Sequence, residues 1–159
     1  IYKFYYNCLN DKNEYFYGLK LTMRTVIEII GTPKSGKTLF VKKMNEGLSS
    51  KQFIISREYL QCHGLLIIIF AVSNDDICCV IKFLERIQHE PKYQNRKLLV
   101  LGNKRDLHES KKYRSCYSEL IDLVRQSKGI YVAVSLKSNY NWLSVKKETD
   151  ALSLSINKQ

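Results

Sequence analysis

The fold of this chain is decided by the run Gly31-Thr32-Pro33-Lys34-Ser35-Gly36-Lys37-Thr38, which fits the pattern G-x-x-x-x-G-K-[ST]. It lies between a β-branched run, Thr25 to Ile30, and a helical pattern, Thr38 to Met44. Glycines let backbone N–H groups approach a phosphate chain, and the start of a helix adds unpaired donors and a positive end. The spacing therefore predicts a strand, a phosphate-binding loop and a helix, in that order.

Most residues of this loop have a predicted role in phosphate binding. Lys37 is predicted to bridge the terminal phosphates of a nucleotide, and the Thr38 hydroxyl to ligate Mg²⁺. The complete set of predicted phosphate contacts is Gly31, Lys34, Ser35, Gly36, Lys37 and Thr38. The loop does not select a base, so kinases and ATPases are as compatible with it as proteins that bind GTP.

Outside the loop, short apolar runs alternate with helical patterns. The runs are Thr25 to Ile30, Leu65 to Val72, Leu98 to Leu101 and Ile130 to Val134. The helical patterns are Thr38 to Met44, Asp75 to Gln88, Ser118 to Gln126, and Trp142 to about Ile156. Apolar runs without alternation are typical of strands covered on both faces. The order predicts one α/β domain with a doubly wound, mostly parallel sheet, whose ligands bind at the carboxyl ends of the strands.

Composition limits the class of protein. The chain has 159 residues and a net charge of +11, but its basic residues are dispersed and accompany no nucleic-acid motif, so we expect no nucleic-acid partner. The longest apolar run, Leu65 to Val72, is too short to cross a bilayer. Five cysteines form no metal-ligand spacing, and we expect them to be reduced and mostly buried in a cytoplasmic protein.

Two further loops favour guanine. Asn103-Lys104-Arg105-Asp106 directly follows the third apolar run, where the Asp106 carboxylate is able to accept hydrogen bonds from guanine N1–H and its exocyclic amine. Lys104 is predicted to cover the base, and Asn103 to tie this loop to the phosphate loop. After the last run comes Ser135-Leu136-Lys137. There the Leu136 N–H is predicted to reach guanine O6, and Lys137 to cover the other face of the ring.

These three loops resemble the phosphate and guanine motifs of Ras-superfamily small GTPases, closest to the Ras, Rab and Rho group. The stretch from Tyr59 to Asn74 is similar to the end of that family's second helix and its fourth strand, and the resemblance extends from about Met23 to about Leu154. It implies a P-loop fold that binds GTP or GDP with Mg²⁺. One departure is Leu136, where the family usually has alanine; its bulk is a possible obstacle to the base.

A larger departure lies between Thr38 and Leu65. The family has there an effector loop with a Mg²⁺-binding threonine, two strands and an Asp-x-x-Gly turn, whereas residues 39–64 contain neither threonine nor aspartate. Only a short strand at Phe53-Ile54-Ile55 is predicted to remain, which shortens the sheet. Because these loops sense the third phosphate, we expect nucleotide binding with weak or absent hydrolysis and switching, and we assign no catalytic residue.

Two alternatives stay open: a scaffold that needs no nucleotide, and a P-loop ATP-binding kinase or ATPase. The latter lacks an adenine-pocket signal and a second carboxylate placed after a strand. We expect an N-terminal extension at 1–22, a P-loop domain at 23–156 and a tail at 157–159. The last five residues, Ser155 to Gln159, include no cysteine for prenylation, so no lipid anchor is expected, and peripheral membrane attachment would need a partner.

Overall fold

The computed structural model describes residues 26–46, 52–55, 64–72, 74–89, 96–104 and 114–156. Its strands are β1 (Val26–Gly31), β2 (Gln52–Ile55), β3 (Leu65–Ala71), β4 (Lys97–Asn103) and β5 (Ile130–Ala133). Its helices are α1 (Lys37–Asn45), α2 (Asn74–His89), α3 (Arg114–Gln126) and α4 (Trp142–Ile156). Every predicted strand and helix is confirmed, with ends that differ by a few residues. The predicted extension at 1–22 and tail at 157–159 lie outside the described residues.

The strands form one sheet in the order β2-β1-β3-β4-β5, and each pairing is parallel. From β1 the chain passes to β2 on one side and then returns to β3 on the other side. The order therefore reverses between β1 and β3, and ligands of doubly wound folds bind beside such a reversal. The prediction of a doubly wound α/β fold with a mostly parallel sheet is confirmed.

Alternate side chains of the sheet belong to two separate cores. On β3, Leu66, Ile68 and Phe70 pack with α2 and α3, whereas Leu65, Ile67 and Ile69 pack with α1 and α4. All six are at most 2% exposed. Covering on both faces explains why this strand is an unbroken apolar run in the sequence.

The interval between α1 and β3 contains one strand among the residues that the structure describes. This strand, β2, confirms the short strand predicted at Phe53–Ile55. It pairs with β1, with Ile55 opposite Ile29. Phe53 meets the buried ring of Phe40 edge to face, at 6.1 Å between centroids, so β2 is fixed to α1 as well as to the sheet.

Two of the five cysteines lie on the exposed side of α2. Cys78 and Cys79 are free and exposed, so the expectation of a buried side chain is wrong for these two, while the side chains of the other three cysteines lie outside the described residues. The phase of α2 is the reason, because Ile77, Val80 and Ile81 occupy its buried face. Of the described helices, none has the length and apolar character needed to cross a membrane.

A buried ion pair links β1 to the segment before β4. The Arg96 guanidinium lies 2.9 Å from the Glu28 carboxylate, and the two side chains are 7% and 1% exposed. Two charges taken out of water are tolerated only while each balances the other. The pair therefore ties the amino-terminal half of the sheet together, away from the carboxyl ends of the strands.

We expect Arg96→Met to lower the free energy of unfolding by about 3–5 kcal/mol, because it leaves the Glu28 carboxylate buried without its guanidinium. Urea denaturation measures this change. The control is Arg125→Met, which removes a pair with Asp122 whose side chains are 75% and 63% exposed. That variant should lose at most about 1 kcal/mol, and equal losses in the two variants would contradict the prediction.

Candidate nucleotide-binding site

The loop between β1 and α1 depends on two glycines. Gly31 has φ 154° and lies so close to the backbone of Ile69 on β3 that a Cβ atom would overlap the Ile69 carbonyl oxygen. Gly36 has φ 102°, and a Cβ atom there would overlap the side-chain nitrogen Nδ2 of Asn103. Lys34 also adopts a positive φ of 57°. These constraints wrap the loop tightly over the edge of the sheet.

The amino terminus of α1 has no side-chain cap. Gly36 is the N-cap and makes no side-chain capping bond, and the first turn contains no acidic residue. Its carbonyl accepts the first helical bond from Phe40 N, at 2.9 Å. A helix end with uncapped donors and no nearby carboxylate of its own is suited to an anion.

The Lys37 ammonium lies inside this loop. Its Nζ donates to the carbonyl oxygens of Gly31 at 2.8 Å and Thr32 at 2.6 Å, and to Ser35 Oγ at 3.5 Å. Burial lowers the pKa of Lys37 below its ordinary value, while the Asp76 carboxylate opposes that shift. The loop therefore already holds a positive charge where the motif requires one. Thr38, the next residue, is exposed.

Asn103, the last residue of β4, connects all three predicted loops. Its Nδ2 donates to the carbonyl oxygen of Ser35 at 2.7 Å, and its Oδ1 accepts from Leu136 N at 3.0 Å. Asn103 is 4% exposed, and Ser35 and Leu136 are fully buried. The predicted tie between Asn103 and the phosphate loop is present, and a second tie reaches the loop after β5.

The second tie alters the expectation for Leu136. Its N–H was predicted to reach guanine O6, whereas in the structure it donates to Asn103. Its side chain packs in the core with α1 and α4, and so it does not stand in the way of a base. Ser135 is buried and pairs with Tyr140, while Lys137 is exposed at the tip of the loop.

Of the remaining predicted guanine contacts, one is described and one is not. Lys104 directly follows β4, is partly buried and has a positive φ of 63°. Asp106 lies outside the described residues. Its contact with guanine, on which base selection depends, stays a prediction.

Sequence reasoning missed Asp76. This carboxylate lies in the first turn of α2, five residues after the end of β3, and acts electrostatically on Lys37. The statement that no second carboxylate follows a strand was therefore wrong, and it no longer counts against a kinase or ATPase. The signal was present, because β3 ends three residues before α2 begins and the strand next to β1 ends at the same edge.

Comparisons with known proteins support the fold alone. No protein-family model matches this chain, and no curated protein does. Two crystal structures of mutation variants of SsGBP match at TM-scores of 0.59 and 0.60, each with 13% sequence identity. The alignments cover 82% and 86% of this chain but 57% and 58% of those chains. The chain thus spans less than two thirds of the length of these neighbours.

We expect Asn103→Ala to lower the free energy of unfolding by roughly 2–5 kcal/mol, because it leaves the buried Ser35 carbonyl and Leu136 N–H without partners. Asn103→Asp separates the two bonds. It keeps the acceptor for Leu136 N and places a carboxylate oxygen against the Ser35 carbonyl. Chemical denaturation should rank it well below the wild type, and a wild-type value for Asn103→Asp would mean that the tie to Ser35 contributes nothing.

Proposed function

We propose that this chain binds a guanine nucleotide, GTP or GDP, together with Mg²⁺, in the manner of a small GTPase, and that it hydrolyses GTP weakly or not at all. The observation that carries the proposal is the pair of hydrogen bonds that the Asn103 side chain makes, one with Ser35 and one with Leu136. These bonds join the phosphate loop and the start of the turn after β5 to the last residue of β4, at the carboxyl edge of the sheet beside the reversal between β1 and β3.

The phosphates belong at the start of α1. Backbone N–H groups of the first turn of α1, from Gly36 to Thr38, supply neutral donors, and Lys37 supplies the positive charge. Mg²⁺ bound with a nucleotide takes most of its ligands from phosphate oxygens and water. The exposed Thr38 hydroxyl fits the one remaining position.

The base belongs between Lys104 and the loop after β5. The aliphatic stems of Lys104 and Lys137 are available to cover the two faces of a purine. Asp106 follows two residues after Lys104, and a carboxylate pairs with the N1–H and amine of guanine but not with adenine. A site built around such donors discriminates by roughly 10⁴ to 10⁵.

Hydrolysis and switching need groups that residues 39–64 do not contain. These residues include no threonine for Mg²⁺ and no aspartate for an Asp-x-x-Gly turn. Positioning of the attacking water and ordering of loops by the third phosphate depend on such groups. GTP and GDP should therefore bind alike.

The first test is a titration of nucleotide-free protein with GDP, GTP, ADP and ATP, with and without Mg²⁺. We expect guanine-selective binding. Lys37→Ala should weaken it roughly 10- to 100-fold through loss of charged hydrogen bonds, whereas the matched control Lys42→Ala, exposed on the same helix, should not. Asp106→Ala should bring the affinities for GDP and ADP close together.

A second test measures phosphate release in a single turnover of GTP. We expect a rate below roughly 10⁻⁴ s⁻¹, slower than the intrinsic rate of a complete small GTPase. The Lys37→Ala protein, purified in the same way, reports contaminating activity. Faster release that disappears in Lys37→Ala would show an active enzyme.

One observation favours the alternative of a nucleotide-independent scaffold. Lys37 and the Leu136 N–H both have partners within the protein, so the loops are held together by internal bonds. A folded protein that binds none of the four nucleotides would establish this alternative. Preference for ATP over GTP would instead establish the kinase or ATPase alternative.

A further inference from the structure

The loop between β5 and α4 is a closed turn. Ser135 N donates to Tyr140 O at 3.2 Å, and Trp142 N donates to Asn139 O at 3.2 Å. Asn139 and Asn141 both have positive φ values, 62° and 54°. The turn therefore has a defined shape of its own, but its tip, which includes Lys137 and Asn139, is exposed. Within the turn, Ser138 N also donates to Ser135 Oγ at 3.4 Å and Asn141 Nδ2 to Ala133 O at 2.9 Å. Contacts from outside the turn add to these bonds at its tip.

One such contact comes from α1, 96 residues earlier in the chain. The Lys43 ammonium donates a hydrogen bond to Asn139 Oδ1. The same Nζ lies 5.5 Å from the centroid of the Trp142 ring, within the range of a cation–π contact. A single cation thus contacts the tip of the turn and the first residue of α4.

Contacts between aromatic rings hold α1 against the start of α4. The buried ring of Phe40 lies one turn before Lys43 on α1 and meets the ring of Trp142 edge to face, with centroids 6.0 Å apart. The same α1 begins with Lys37 and Thr38. Helix α1 therefore adjoins the phosphate loop at its amino end. Near its carboxyl end, through Lys43, it contacts the turn that carries Lys137.

We propose that Lys43 is a positioning residue for the guanine base. Through Asn139 and Trp142 it fixes the tip of the turn, and with it Lys137, at a set distance from the phosphate loop. This inference rests on the proposed binding of guanine nucleotides. Lys43 touches no part of the nucleotide in this role, and its effect is confined to the base.

The effect separates into two measurable parts. Removal of the cation loosens the turn, so affinity for GDP should fall by roughly three- to tenfold, the range for one charged hydrogen bond and one cation–π contact at a partly exposed site. Pyrophosphate with Mg²⁺ contacts the phosphate loop alone. The affinity of the variant for pyrophosphate should stay within about twofold of the wild-type value. A general loss of structure would instead weaken the binding of pyrophosphate as well.

The experiment compares Lys43→Met and Asn139→Gly with the control Lys42→Met, a neighbouring exposed lysine of α1. Glycine removes the side chain and keeps the positive φ of this position, which alanine would strain. Lys43→Arg and Asn139→Asp are the conservative variants, since each keeps a cation paired with an oxygen. Asparagine and aspartate both tolerate a positive φ. Each protein is titrated with GDP and with pyrophosphate in the presence of Mg²⁺. Trp142 is the sole tryptophan, so quenching of its fluorescence by acrylamide reports the contact without any nucleotide.

We expect Lys43→Met and Asn139→Gly to weaken the binding of GDP but not of pyrophosphate. Lys43→Met should also raise the quenching of Trp142, and both conservative variants should keep wild-type values. Unchanged GDP affinity in Lys43→Met, or parallel losses for GDP and pyrophosphate, would overturn the proposal. Unchanged quenching would also overturn it, because the contact would then not exist in solution. Failure of the wild type to bind GDP would instead refute the proposed function, while the quenching comparison would still test the contact itself.

Discussion

The carboxamide of Asn103 is the constraint on which the arrangement of the site depends. Its nitrogen is bonded to the phosphate loop and its oxygen to the turn after β5, and both bonds are shielded from water. A carboxamide is suited to this position because one planar group supplies a donor and an acceptor on opposite sides. Gly36 belongs to the same constraint, since only a residue without a side chain leaves room for the amide.

The fold was accessible from the sequence because its signals are local. Runs such as Leu65 to Val72 are apolar throughout, and the phosphate-loop pattern fixes the order of strand, turn and helix around it. Even the short strand β2 was visible in Phe53-Ile54-Ile55. The ends of elements were less certain, since helix ends fray and strand ends depend on pairing with residues far away in the chain.

The site could be predicted from the sequence only in part. Which partner a donor or acceptor binds depends on the groups that the fold brings near it, and these are distant in the sequence. The motif placed Leu136 correctly, but no pattern reveals that its N–H has a partner on β4. Lys43 and Asn139 are ordinary polar residues of a helix and a turn, and only the packing of Phe40 against Trp142 brings them together. Asp76 was overlooked for another reason. It lies in the first turn of a helix, where a carboxylate usually stabilises the helix itself.

Because β2 lies at the edge of the sheet, the length of its connections is independent of the positions of the other strands. Among the described strands, β2 pairs with β1 alone, so the length of chain between α1 and β3 can vary without moving β1, β3, β4 or β5. Insertions and deletions there are tolerated in the way that surface loops tolerate them. The crossover is consequently a natural place for evolution, or for protein engineering, to add or remove a segment while the carboxyl edge of the other four strands stays the same.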